Sequence, residues 1–468
     1  MQYDTSPSEF SETPIPSPNR KFVFIGIAAF AAVALVVCCI GIVGIAYWQT
    51  DGFAALTTSA TETPTRVARV NATPTNAPNI KPTAPPPAST PGTAPTKKPP
   101  PTETPEPTAT PAPIPKIKSP KMNSPEFGAQ AFLWWRPETA DRDLGLARAA
   151  GFTWVKQSFS WRDIEGAKKG AFDWSNADRA IQLANAKGID ILARMDNAPE
   201  WAAPGCFNAA KKTMGPAKNQ QDWVDFLKAF VTRYKGRVRA IEIWNEPNLA
   251  REWCNRPPNP TEYATLLKIS YQTIKAIDPN IMIISAGMTP TTRNDDQAMP
   301  DALYIERMYT AMGNKSDGYF DVLGVHAPGF KAPPEMSPDD VGKNPTYNNN
   351  EGAAGRIYSF RHVEDIRKIM VAKGDSAKQI AILEFGWTMD PIHPEYSWFK
   401  VDEQTHGKYV EGAYQYAKKN WAPWIGAMFV IYFANPDWTK DNEEYWWSIT
   451  DPEGNPRAAY IRVKALPK

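Results

Sequence analysis

Two glutamates stand at the ends of apolar stretches and could act together in acid–base or nucleophilic chemistry. Residues 241–248 read Ile-Glu-Ile-Trp-Asn-Glu-Pro-Asn, so alternating apolar residues lead directly to Glu246. Residues 379–387 read Gln-Ile-Ala-Ile-Leu-Glu-Phe-Gly-Trp, and Glu384 closes that apolar run. Pro247 cannot donate a hydrogen bond to a neighbouring strand, which predicts that the first strand ends near Glu246. We interpret the two glutamates as a carboxylate pair at strand ends, the alternative being two solvated side chains.

Two carboxylates that face one cleft suit the hydrolysis of a glycosidic bond. One carboxyl group protonates the leaving oxygen, and the other attacks the anomeric carbon or activates a water molecule. A separation of about 5–5.5 Å retains the configuration of the sugar, whereas about 6.5–9.5 Å admits a water molecule and inverts it. The sequence gives no distance. The four histidines, at positions 326, 362, 393 and 406, show no spacing typical of a metal site, so we expect no metal or cofactor.

Apolar strands and helical patterns alternate after residue 124 and predict the fold. Eight strands are predicted at 127–135, 154–161, 190–197, 240–245, 281–288, 320–326, 379–385 and 425–433. Helices are predicted at about 139–150, 176–187, 220–235, 261–277, 301–313, 356–373, 403–420 and 456–465. Eight strand–helix units predict an α/β fold, a (β/α)8 TIM barrel, in which chemistry is located at the carboxyl ends of the strands. Glu246 at the end of the fourth strand and Glu384 at the end of the seventh would then face each other across the barrel mouth.

The composition divides the 468 residues unevenly, because many of the 46 prolines precede residue 121. The predicted segments are a cytoplasmic tail (1–21), a transmembrane signal anchor (22–48), a disordered Pro/Thr-rich stalk (49–121) and a catalytic domain (122–468). Residues 22–48 carry no charge, and about 27 helical residues would span about 40 Å, enough to cross a bilayer. Arg20 and Lys21 precede this run, which predicts a cytoplasmic amino terminus and an extracytoplasmic domain. A cleaved signal peptide is the alternative.

Charge and cysteine usage limit the partners and the compartment. A net charge of +2, from 52 basic and 50 acidic residues, gives no reason to expect a nucleic-acid partner. Cys206 and Cys254 follow consecutive predicted strands, which predicts a disulfide bond between neighbouring loops in an oxidising compartment. Two free thiols are the alternative. The expected partners are therefore an oligo- or polysaccharide substrate and, through residues 22–48, a lipid bilayer.

The motifs around both glutamates resemble the retaining glycoside hydrolases of clan A. They are Trp-Asn-Glu-Pro-Asn at 244–248 and Leu-Glu-Phe-Gly-Trp at 383–387, within a resemblance that covers about 125–466 and is nearest to families 39, 5 and 10. The resemblance implies that Glu246 is the general acid/base, that Glu384 is the nucleophile, and that Asn245 binds the sugar 2-hydroxyl. An acid must be protonated when substrate arrives, so we expect the pKa of Glu246 to be raised.

Three further residues are candidates for substrate contacts. The resemblance implies that His326 orients the nucleophile and that Trp438, just past the eighth strand, stacks on a sugar ring. Arg194, on the third strand, could contact sugar hydroxyls. Lys156 on the second strand departs from the resemblance, since many clan members have arginine there. Together the residues predict a membrane-anchored, extracytoplasmic retaining β-glycosidase; the alternative is a non-catalytic carbohydrate-binding or cell-surface interaction protein on the same barrel.

Overall fold

Eight parallel strands form a closed barrel in which each strand pairs with the next along the chain and the last pairs with the first. The computed structural model describes residues 121–134 and 136–468. The strands are β1 (Glu126–Gln130), β2 (Trp154–Ser158), β3 (Asp190–Met195), β4 (Ala240–Ile243), β5 (Met282–Ser285), β6 (Val322–His326), β7 (Gln379–Phe385) and β8 (Ile425–Val430). The predicted eight-stranded barrel is confirmed, although most strands are shorter than predicted.

Helices follow the strands around the outside of the barrel. They are α1 (Pro137–Ala149), α2 (Trp161–Ile164), α3 (Ser175–Ala186), α4 (Gln220–Tyr234), α5 (Pro260–Ile277), α6 (Asp301–Ala311), α7 (Pro338–Lys343), α8 (Val363–Ala372), α9 (Glu403–Asn420), α10 (Glu443–Trp447) and α11 (Ala458–Ala465). The helix predicted over 356–373 is wrong in its first half, where the 3-10 turns Gly352–Tyr358 and Phe360–His362 precede α8. The short α2, α7 and α10 lie in loops and were not predicted, because four to six residues are too few to show a helical period.

The barrel interior is layered. An apolar layer that includes Trp154, Leu192 and Ala240 fills part of the interior with buried side chains. Side chains two residues apart on a strand share a face, so Lys156, Arg194 and Glu242 project from the next layer toward the carboxyl ends of β2, β3 and β4. The alternation of side chains along the strands thus places charged groups next to the apolar layer, on the side of the carboxyl ends of the strands.

The amino-terminal predictions lie outside the described residues. The cytoplasmic tail (1–21), the signal anchor (22–48) and the stalk up to residue 120 all precede residue 121. Among residues 121–134 and 136–468, no helix combines the length and the apolar character needed to cross a membrane.

Candidate active site

Glu246 and Glu384 converge at the carboxyl ends of their strands. Glu384 belongs to β7, whereas β4 ends at Ile243, so Glu246 lies in the following loop rather than at the strand end. Trp244 (φ +73°) and Glu246 (φ +36°) adopt left-handed backbone conformations, which turn the chain sharply after β4 at a cost in strain. One oxygen of each carboxylate and one nitrogen of His326 all lie within 4.8 Å of one another.

His326 ends β6 and lies between the two carboxylates. Its Nδ1 is 3.0 Å from Oε1 of Glu246, and its Nε2 is 3.8 Å from Oε1 of Glu384. The hydrogen bond is therefore made to the expected acid and not to the expected nucleophile. Gly287, in the loop after β5, leaves room for the imidazole, because a Cβ atom there would lie 2.1 Å from Cδ2 of His326. The Gly287 carbonyl also accepts the backbone N–H of Glu246 at 3.2 Å.

A buried lysine supports Glu384 from β2. Nζ of Lys156 lies 3.1 Å from Oε1 of Glu384 and 3.2 Å from Oε2 of Glu242, and the lysine and Glu242 are almost completely enclosed. Burial alone would favour the neutral form of Glu384. The electrostatic influence of His326 and Lys156 outweighs burial and holds the pKa of Glu384 below its usual value. Burial raises the pKa of Glu242 in spite of Lys156.

Arg251 holds the other carboxylate. It belongs to the 3-10 helix Ala250–Trp253 in the loop after β4, and its Nη2 lies 2.8 Å from Oε2 of Glu246. Burial of Glu246 favours the neutral acid, but the hydrogen bond with His326 and the charge of Arg251 together lower its pKa below the usual value. The expectation of a raised pKa for Glu246 is therefore wrong for this arrangement of side chains. Its two oxygens are paired with nitrogen donors.

Asn245 and Arg194 lie at the same site. Nη1 of Arg194 is 3.3 Å from Oδ1 of Asn245 and 3.6 Å from Oε1 of Glu384, while Nε is 2.7 Å from Oδ2 of Asp196. Nδ2 of Asn245 donates to Oε1 of Glu252 at 3.4 Å. Arg194 thus links the residue before the expected acid to the expected nucleophile.

Trp438 lies in the loop after β8 and is half-buried. Its ring packs edge-on against Phe132 and Tyr432, with ring centroids 4.7 and 5.3 Å away. These contacts fix the orientation of the indole within an aromatic cluster. Its stacking on a sugar ring stays a prediction.

Three loops at the carboxyl ends of the strands are tied together. The sulfur atoms of Cys206, after β3, and Cys254, after β4, lie 2.06 Å apart, at the distance of the predicted disulfide. Nζ of Lys212, also after β3, lies 3.4 Å from Glu443 and 3.3 Å from Glu444 on α10, in the loop after β8. These contacts join the loops after β3, β4 and β8.

Four residues of this site are not predicted from the sequence: Glu242, Gly287, Arg251 and Glu252. The Ile-Glu-Ile pattern of β4 could have shown that Glu242 faces the opposite side from its apolar neighbours. Gly287, Arg251 and Glu252 carry no comparable signal, because loops have no period and their contacts reach across the chain.

The cluster of Glu246, His326 and Glu384 has the composition of a metal site. Arg251 and Lys156, however, place positive charges 2.8 and 3.1 Å from the two carboxylates. A divalent cation there would be repelled by both groups. The arrangement fits a pair of reacting carboxylates, and we assign no metal to it.

Comparisons with known proteins find related sequences for part of this chain. Residues 113–312, which include Glu246 but not Glu384, match the model of the family described as Cellulase (glycosyl hydrolase family 5). A "Beta-xylosidase" of Geobacillus stearothermophilus is 27% identical over 130 residues, which are 26% of this chain and 25% of that protein. An "Endo-1,4-beta-xylanase C" of Phanerodontia chrysosporium is 28% identical over 128 residues, 26% of this chain and 30% of that protein. The matches thus span less than a third of either relative.

Solved structures share the fold at low sequence identity. A family 39 glycoside hydrolase from Bacteroides cellulosilyticus superposes with a TM-score of 0.52 at 19% identity, covering 75% of this chain and 64% of that one. A glucosidase from Croceicoccus marinus gives a TM-score of 0.52 at 13% identity, covering 74% and 67%. Together with the family match and the curated relatives, the shared barrel fold confirms the predicted resemblance to the glycoside hydrolases of clan A.

Proposed function

We propose that this protein is a retaining β-glycosidase that hydrolyses O-glycosidic bonds by double displacement. The observation that carries the proposal is the approach of Glu246 and Glu384, which have carboxylate oxygens within 4.8 Å of each other. Retaining enzymes hold their carboxyl groups about 5–5.5 Å apart, whereas inverting enzymes leave about 6.5–9.5 Å for water. The short distance therefore supports direct attack by one carboxylate.

In the first step, an oxygen of ionised Glu384 attacks the anomeric carbon and the bond to the leaving oxygen breaks. Glu246 gives its proton to that oxygen, which leaves as an alcohol. In the second step, Glu246 takes a proton from water, whose oxygen attacks the anomeric carbon and releases Glu384. Lys156 suits Glu384 to the first step, because it stabilises the carboxylate before attack.

We infer that the glycone is held beside this pair by Asn245, Arg194 and His326, with Asn245 on the 2-hydroxyl. Trp438 would supply an aromatic surface for a sugar ring. The curated relatives are named a β-xylosidase and an endo-1,4-β-xylanase, so β-xylosides and xylan are the first substrates to test.

One observation favours the alternative, a carbohydrate-binding protein without turnover. The ion pair of Arg251 with Glu246 opposes protonation of the expected acid. Against this, sugar binding alone does not require a buried lysine on one carboxylate and a second carboxylate beside it. We therefore favour the enzyme.

We also propose that residues 22–48 anchor the protein in a lipid bilayer, with residues 1–21 in the cytoplasm and the barrel outside, held by the Pro/Thr-rich stalk. A Cys206–Cys254 disulfide would suit an oxidising extracytoplasmic compartment. Protease digestion of intact cells tests this arrangement, because only an outward-facing barrel would be released into the medium.

The function is tested with a panel of aryl β-glycosides, followed by xylan, mannan and β-glucan. We expect release of the phenol, and proton NMR of the first-formed sugar should show the β configuration. Binding without hydrolysis would support the carbohydrate-binding alternative, and an initial α product would exclude retention.

The roles of the two glutamates are tested separately. Glu384→Ala should lose turnover, and azide should restore it with formation of the α-glycosyl azide, because azide attacks from the face that the carboxylate vacates. Glu453→Ala, which alters an exposed glutamate in the loop before α11, is the matched control and should keep wild-type activity. Full activity of the Glu384 variant would refute its role.

A further inference from the structure

Arg251 faces two buried carboxyl groups at once. Its Nη2 lies 2.8 Å from Oε2 of Glu246, and its Nε lies 3.8 Å from Oε1 of Glu252. Both glutamates are almost inaccessible to solvent, at 0% and 4% exposure. One guanidinium cannot compensate two buried negative charges equally well, so the cluster favours a state in which one of the two groups carries a proton.

In the resting arrangement the proton belongs on Glu252. Oε2 of Glu252 is buried and accepts no hydrogen bond from the described part of the chain, while both oxygens of Glu246 have nitrogen partners. Burial raises the pKa of Glu252 to about 8, in spite of the nearby Arg251. The pKa of Glu246 is lowered instead, by His326 and Arg251.

Other charges face this cluster from several loops and strands. Arg194, near the end of β3, lowers the pKa of Glu252, and Asp196, just after that strand, raises it. His326 and Glu384 face Glu246 from β6 and β7, and Glu443 of α10 acts on Arg251. Arg251 lies within ion-pair distance of both carboxyl groups, so a change of its partner can couple their protonation states.

The proposed reaction requires the proton on Glu246 and not on Glu252, because Glu246 must carry a proton before it can donate one. We propose that Glu252 stores this proton in the free enzyme and that Arg251 changes partner from Glu246 to Glu252 as the proton moves to Glu246. The neutral acid Glu252 becomes a carboxylate, the Glu246 carboxylate becomes a neutral acid, and Arg251 stays charged, so the net charge of the cluster is constant. Glu252 is then a positioning residue that acts through Arg251. The inference rests on the proposed role of Glu246.

Substrate binding and this exchange share one residue. Asn245, the expected partner of the sugar 2-hydroxyl, donates to Oε1 of Glu252 at 3.4 Å. A sugar that draws the Asn245 amide toward itself weakens that contact and leaves Oε1 of Glu252 available to Arg251. When Arg251 moves to that oxygen, its positive charge stabilises the Glu252 carboxylate and no longer opposes protonation of Glu246, so a bound glycone favours the proton on Glu246.

The location of the proton is tested without any substrate. The infrared spectrum of the whole protein at pH 7 should contain the carbonyl stretch of a protonated carboxylic acid that is lost in Glu252→Gln. An unchanged carboxylic-acid band in the Glu252 variant would overturn the proposal.

The use of the Glu252 proton in the reaction is tested with aryl glycosides that have good or poor leaving groups. In Glu252→Gln, Arg251 stays on Glu246, so kcat for poor leaving groups should fall roughly tenfold to a hundredfold, with a smaller loss for good ones. The basic limb of the pH profile should move to lower pH, whereas in Arg251→Gln it should move to higher pH. Equal losses for all leaving groups, with unmoved limbs, would show a merely structural role.

Arg256→Gln is the matched control, because this exposed arginine in the same loop pairs with Glu262. Its pH profile should equal that of the wild type. If Glu252→Gln loses the infrared band but no form of the protein hydrolyses a glycoside, the proton assignment stands and the proposed hydrolase function fails. If the wild type hydrolyses and the band is unchanged, the hydrolase stands and the proton store fails.

Discussion

Nζ of Lys156 lies 3.1 Å from Oε1 of Glu384, and both side chains are almost fully enclosed, with exposures of 1% and 5%. The same ammonium group is 3.2 Å from Oε2 of Glu242, on β4. One lysine therefore compensates two buried carboxyl groups, one of which is the proposed nucleophile. The lysine is expected to govern both stability and the ionisation of Glu384.

We predict that Lys156→Met destabilises the barrel by about 3–5 kcal/mol, because it leaves buried carboxyl groups without their cation. The pKa of Glu384 should rise, since the lysine that lowers it is gone. Glu384 would then ionise only at higher pH, and the acidic limb of kcat/KM should shift upward. Urea unfolding and the pH profile with an aryl glycoside measure the two effects.

The double variant Lys156→Met/Glu242→Gln separates the two carboxyl partners. If Glu242 is stabilised by Lys156, its neutral replacement should recover part of the lost stability without restoring the pH profile. Strictly additive losses in this double-mutant cycle would contradict the shared ion pair.

Gly287 is predicted to be necessary for the position of His326. A Cβ atom at this residue would lie 2.1 Å from Cδ2 and 2.4 Å from Nε2 of the imidazole, so Gly287→Ala must displace the ring from Glu246. We expect a loss of about 1–3 kcal/mol in stability and a lower kcat with poor leaving groups. Thermal unfolding and steady-state kinetics measure both.

Gly145→Ala is the control for that change. Gly145 lies in α1, and a Cβ atom there meets no other atom within 4 Å. Alanine should stabilise this helix by up to about 1 kcal/mol and leave kinetics unchanged. A Gly287 variant that behaves like the Gly145 variant would show that His326 tolerates the displacement.

The barrel and the carboxylate pair could be predicted because both follow from strand periodicity. Alternating apolar residues predict the strands, and the carboxyl ends of β4 and β7 then bring Glu246, in the loop after β4, close to Glu384. The pKa of Glu246 was predicted in the wrong direction, since its partners Arg251 and His326 reach it from a 3-10 helix and from another strand. Such contacts depend on the folded loops, and no local pattern encodes them.

A disulfide between Cys206 and Cys254 should stabilise the barrel and the loop that carries Arg251. The residues are 48 positions apart, and closing a loop of that size contributes about 4 kcal/mol. The backbone carbonyl of Met214 also accepts a hydrogen bond from the N–H of Cys254 at 2.6 Å. The backbone N–H of Met214 donates to the carbonyl of Arg251 at 2.8 Å. We predict that Cys206→Ser/Cys254→Ser lowers the thermal midpoint and turnover together.

Reductant provides the control for the cysteine pair. It should lower the midpoint of the wild-type protein toward that of the double serine variant and leave the variant itself unchanged. Two free thiols in the native protein, titrated before any reduction, would contradict the bond.

His362 forms a buried charge cluster outside the proposed active site. Its Nε2 lies 3.0 Å from Oδ2 of Asp301 on α6, and its Nδ1 lies 3.2 Å from Oδ2 of Asp365 on α8. Burial alone would lower the pKa of this histidine. The two aspartates outweigh burial and raise the pKa of His362 from 6.5 to about 9.

A folded-state pKa above the unfolded value means that His362 stabilises the protein while it is protonated in the folded state. The contribution is complete below pH 6.5 and is lost as the pH rises through about 9, and a shift of this size corresponds to about 3 kcal/mol. We predict that the free energy of unfolding, measured in urea, falls across this interval and that His362→Gln removes most of the fall. His393→Gln, which alters a more exposed histidine, should leave most of it in place because solvent screens its ion pair with Asp390. If wild type and the His362 variant showed the same slope between pH 6.5 and 9, the charge cluster would not hold the proton there.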